Sequence, residues 1–99
     1  GTDAEPEPAE PLERASELIA YGRLEQAQAV LDDALGEEPD SIELRLKLLD
    51  VLAMREDRAG FESEAHVLQA QINDDGDERW QEIARKGRVL SPEHPLFRA

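Results

Sequence analysis

The residues able to do chemistry are few and scattered. His66 and His94 stand 28 residues apart, and neither has a second histidine or a cysteine at ligand spacing, so they read as surface residues and no metal site is assigned. Asn73-Asp74-Asp75-Gly76-Asp77-Glu78 has the acids of a calcium loop, without its alternating ligand positions or its distant glutamate. It reads as a helix-stopping turn followed by acids near the next helix start. Ser91-Pro92-Glu93-His94-Pro95 carries no glycine pattern able to cradle phosphate, and no stretch groups a nucleophile with a base and an orienting residue. The expectation is therefore a non-enzyme, with no catalytic, metal or cofactor residues and no cofactor.

Periodicity gives more than chemistry does. Leu12, Ala15, Leu18 and Ile19 form a helical stripe that opens near Pro11 and stops at Gly22. Leu24, Ala27, Val30, Leu31, Ala34 and Leu35 form a second, closed by Gly36 and Pro39. The expected helices are 12–21 and 24–36, paired as an antiparallel hairpin that small alanines allow to close. Asp40 or Ser41 caps a third helix running to about Arg55, and Asp40 with Glu43 has capping-box spacing. Its apolar arc, from Ile42 to Ala53, is too broad for one face, which predicts a central helix. A fourth helix is expected over 58–71 and a fifth over 78–89, the latter carrying Trp80, Ile83, Ala84 and Gly87.

The stripes repeat. Ala15 and Leu49, Leu18 and Leu52, Ala27 and Phe61, and Ala34 and Leu68 are each 34 residues apart. That period belongs to tetratricopeptide repeats, in which a helix pair cannot hide its apolar face alone and stacks on its neighbour. The predicted fold is all-α, a tetratricopeptide-like right-handed superhelix of two hairpins and a C-terminal capping helix. Repeat one covers about 11–39, repeat two about 41–72, the cap about 78–89 and a terminal tail 90–99, all preceded by an acidic, proline-rich flexible linker over 1–10. Repeat two departs from the family pattern: Leu49, Glu56, Phe61 and Leu68 stand where small residues and glycine are usual. Its hairpin is expected to be wider or differently packed.

Composition narrows the partners. The formal net charge is −13, and residues 1–40 hold twelve acids against two arginines. Such a surface repels nucleic acid and anionic lipid, so neither is expected as a partner, while neutral or basic proteins remain. Cysteine is absent, and no apolar run approaches the ~20 residues needed to span a bilayer. The chain reads as a piece of something longer.

A closer resemblance lies in Leu18-Ile19-Ala20-Tyr21-Gly22-Arg23-Leu24-Glu25-Gln26-Ala27, Glu38-Pro39-Asp40, Leu44-Arg45-Leu46-Lys47-Leu48-Leu49-Asp50-Val51, and the tail Gly87 to Phe97. Together these segments resemble the tetratricopeptide region of the FimV family. The resemblance implies a scaffold at the bacterial cell pole, supporting type IV pilus assembly and twitching motility. It also implies that this stretch lies in the cytoplasmic part of a protein anchored in the inner membrane, without touching the membrane itself.

In this architecture the first helix of each pair lines an inner surface. The repeat projects Leu12, Ser16 and Ile19 onto it from the first helix, Glu43, Leu46, Asp50, Ala53 and Met54 from the third, and Gln81, Arg85 and Arg88 from the fifth. Glu43 and Asp50 argue against a clamp for a terminal carboxylate. A groove for a helix or extended peptide carrying positive charge is expected instead. The alternative is a structural spacer or homo-oligomerisation unit, with Leu12, Ile19 and the free side of the second helix meeting a preceding repeat or a second copy.

Overall fold

The computed structural model describes residues 9–98, which form five α-helices and one 3-10 turn, with no strand among them. The helices are α1 (Ala9–Ala20), α2 (Leu24–Glu37), α3 (Ile42–Met54), α4 (Arg58–Ile72) and α5 (Glu78–Leu90), followed by the turn Pro95–Phe97. The architecture is all-α and tetratricopeptide-like. Of the expected linker, residues 1–8 lie outside the described part, while Ala9 and Glu10 already belong to α1. Pro11 is tolerated there because the N–H it lacks in a first helical turn would have no partner in the helix.

Each helix packs mainly on the next in sequence, and α3 also touches α1 and α5. The core runs the length of this stack and includes Ala15, Ala27, Leu31, Leu44, Leu48, Leu49, Val51, Phe61, Ala65, Leu68 and Ile83. The broad apolar arc of α3 follows from this central place. Successive residues turn about 100° around a helix. Leu44, Leu48 and Val51 thus share one side, Arg45, Leu49 and Leu52 a second, and Leu46 and Ala53 a third.

The side bearing Arg45 faces α4. Its guanidinium, almost fully buried, donates to Glu64 Oε1 at 2.8 Å, to Gln71 Oε1 at 2.9 Å and to the Pro39 carbonyl at 3.0 Å. Gln71 in turn donates to the Asp40 carbonyl at 3.0 Å. One cation thus ties both helices of repeat two to the loop leaving repeat one, through bonds from its Nε and Nη1.

The caps correct one expectation, and the turn of repeat two follows that of repeat one. Ser41 caps α3, its Oγ accepting from the Leu44 N–H at 3.2 Å, and the anticipated reciprocal pair of Asp40 and Glu43 does not form. The α3–α4 turn is not altered by Glu56. Gly22 and Glu56 both adopt left-handed backbone, and the hydrogen bonds around them repeat with the same offset. Gly22 N–H donates to the Ile19 carbonyl and Arg23 N–H to Leu18, while Glu56 N–H donates to Ala53 and Asp57 N–H to Leu52. Both are Schellman closures.

The tail is part of the core. Phe97 is fully buried, its ring centroid 5.7 Å from Phe61 and 6.3 Å from Trp80. It lies directly over Gly87, where a Cβ would overlap the ring.

Candidate functional site: the inner helical face

The fourth side of α3 remains open. It carries Glu43, Lys47, Asp50 and Met54, and the corresponding residues of α5, 35 positions on, are Glu78, Glu82, Arg85 and Val89. In α1 the equivalents 34 positions back include Glu13, Ser16 and Ala20. Two exposed apolar side chains therefore occupy equivalent places on successive inner helices: Met54, 51% exposed, and Val89, 80% exposed. Ala20 continues the row on α1, and Glu43 and Glu78 form an acidic row about three turns away.

Between α3 and α5 the surface dips into a groove of about 330 Å³ lined by Leu46, Asp50, Glu78, Arg79, Glu82, Ile83 and Lys86. Lys86 Nζ donates to Asp50 Oδ1 at 2.6 Å across it, with both side chains about one-third exposed. Two further cations nearby are engaged, whereas Lys47 on the open side has no ion-pair partner among the described residues. Arg79 forks onto Asp77, and Arg85 pairs with Glu82 one turn back. These partners hold the Asp77 carboxyl down at about 2 and Glu82 below the usual carboxylate range, in both cases chiefly through the arginine side-chain hydrogen bond. Glu43 and Glu78 have no cation within ion-pair distance among the described residues, and Lys47 has no anion, so the free charge offered to a ligand is negative on balance, two carboxylates against one ammonium.

The eleven residues projected from the repeat divide accordingly. Ser16, Glu43, Asp50, Met54 and Arg85 lie on the open side. Leu12, Ile19, Leu46 and Ala53 are half-buried and pack against the core, completing it as much as lining a surface. Gln81 and Arg88 lie elsewhere: Gln81 donates to the Asp75 carbonyl at 2.6 Å, and Arg88 donates to the Phe97 carbonyl at 2.7 Å. They correspond to Leu46 and Ala53, the side that faces the next helix, and after α5 no helix is described. The projection missed Glu78, Glu82, Lys86 and Val89. Met54 itself signals Val89, since a 35-residue step from one apolar inner residue reaches the other.

Away from this face, His94 approaches Glu62, with Nε2 3.9 Å from Oε1, and His94 Nδ1 accepts the Leu96 N–H. His66 is exposed on α4. On the outer side of α2, burial and the nearby Glu64 carboxylate push Asp32 upward.

Comparison with known proteins adds one relationship. The motility hub protein FimV of Pseudomonas aeruginosa, in strains PAO1 and UCBPP-PA14, is 44% identical over 57 residues, which is 58% of this chain. That stretch is related to FimV. The chain spans about 6% of the length of these curated relatives. No family model matches the chain, and no solved structure matches it.

Proposed function

We propose that the chain is a non-enzymatic protein-binding module of a FimV-like motility scaffold, whose open inner face holds a helix or extended segment of a partner protein. The observation that carries this reading is the row of exposed Met54 and Val89 at equivalent repeat positions, on the same face as Glu43 and Glu78, which are unpaired among the described residues. Solvent-exposed apolar side chains repeated along one face are costly unless covered, and an acidic rim selects a partner with basic residues flanking its apolar ones.

The relation to a motility hub supports a role in cell-pole organisation, type IV pilus assembly and twitching motility, with this module on the cytoplasmic side of an inner-membrane protein. No described helix is long and apolar enough to cross a membrane. Chemical-shift mapping of the labelled chain against cytoplasmic pilus-assembly and polarity proteins tests the reading. Shifts clustered on Glu43, Met54, Glu78 and Val89 are expected with at least one partner. Shifts confined to α2 and α4 with every binding partner would refute it.

A further inference from the structure

We infer that the outer side of α1 is a closing face of the helical stack, on which no further repeat packs. The internal repeat supplies the comparison. On α3, the side turned toward repeat one bears Leu44, Leu48 and Val51, all buried. The same three positions on α1 are Glu10, Arg14 and Glu17, all exposed. Where a preceding helix pair exists the positions are apolar, and where none is described each is charged. In a stacked array, terminal units need such a polar outer face, whereas interior units cannot have one, because three ionised side chains would lose their water.

The neighbouring cleft carries the same contrast independently. On repeat one, an open hollow of about 250 Å³ lies between α1 and α2, lined by Glu10, Pro11, Arg14, Val30, Asp33, Ala34 and Glu37. The corresponding place on repeat two is occupied by Arg45, which bonds Glu64, Gln71 and the Pro39 carbonyl of the preceding unit. Its equivalents on repeat one are Pro11 for Arg45, Val30 for Glu64 and Glu37 for Gln71. Pro11 has no group to reach a preceding loop, so the inter-repeat tie that Arg45 makes is missing from repeat one in chemistry as well as in shape.

At the other end the same rule is obeyed. Leu46 lines the groove against α5 and Ala53 lies on the same side of α3, and their counterparts on α5 are Gln81 and Arg88. Leu12 and Ile19, expected to greet a preceding repeat, instead occupy the side of α1 equivalent to Leu46 and Ala53 and pack against the core. Whatever chain precedes α1, the inference is that it does not stack there as another helix pair, and that two copies of this chain do not meet through this side.

Sedimentation of the wild-type chain and of the variant E10L/R14L/E17V, which gives α1 the residues of α3, tests the inference. The wild type is expected to sediment as a monomer even when concentrated. The variant is expected to keep its helical circular dichroism and to sediment as a dimer or larger species. A wild-type dimer that Arg14→Glu disperses would overturn the inference, as would a folded triple variant that stays monomeric. If the triple variant unfolds, Glu10→Leu and Arg14→Leu are read singly by the same criterion, since each replaces one exposed side chain.

Discussion

Gly22 and Glu56, 34 residues apart, close α1 and α3 with the same left-handed backbone, at φ 74° and 57°. The repeat thus imposes its turn on a residue that does not favour it. A side chain in this region costs roughly 1 kcal/mol relative to glycine. Glu56→Gly is expected to stabilise the chain by about that amount, and Gly22→Ala to destabilise it similarly, as read by urea unfolding midpoints at unchanged slope. A destabilised Glu56→Gly would show that the glutamate side chain contributes more than the strain costs.

Gly87 and Phe97 give the second prediction. Gly87→Ala places a methyl group against a fully buried ring. Overpacking of this kind costs about 1–3 kcal/mol, and Phe97→Ala, which empties the site, about 3–5 kcal/mol. Thermal unfolding of both variants checks the order, Phe97→Ala being the worse.

Arg45→Met is expected to destabilise more than its loss of charge suggests, by about 2 kcal/mol. It strands Gln71 and the Pro39 carbonyl and leaves Glu64 beside Asp32 without its cation. The double variant Arg45→Met/Glu64→Leu should recover part of the loss, and a double-mutant cycle measures the coupling.

Two carboxylates make opposite pH predictions. Asp77 is depressed to about 2, so its cap on α5 contributes fully above the ordinary carboxylate value and is lost as pH falls through about 2. The Arg79 amide resonance should titrate near that pH, and Asp77→Asn should abolish the titration. Asp32 is raised, so its ionised form is disfavoured by folding and the cost is present at neutral pH. Asp32→Asn is expected to raise stability at pH 7 and to change it little in acid.

The helices were legible in the sequence because glycine, proline and capping residues sit between clear stripes, and because the 34-residue period fixed which stripes correspond. Three features were not legible, each for a physical reason. Arg45 stands in an apolar run without announcing that Glu64, Gln71 and a loop carbonyl wait for it, since those partners come from distant positions. Phe97 follows Ser91-Pro92 and Pro95, which read as the end of structure, yet it folds back onto Gly87. On the inner face, repeat spacing alone reaches Gln81 and Arg88 as well, because it does not separate the open side of each inner helix from the side that meets the next helix. Only the arrangement of α3 against its neighbours makes that separation, and with it Met54 and Val89 fall into line.

The claim that this row binds a partner is tested most directly by titration calorimetry with a partner found by shift mapping, comparing wild type with M54D/V89D and with the outer-face control Ala29→Asp. Both substituted positions in the double variant are exposed, so folding should be retained. The account predicts at least a tenfold loss of affinity for M54D/V89D, about 1.4 kcal/mol or more, and no change for the control. Wild-type affinity in M54D/V89D together with loss in Ala29→Asp would contradict it.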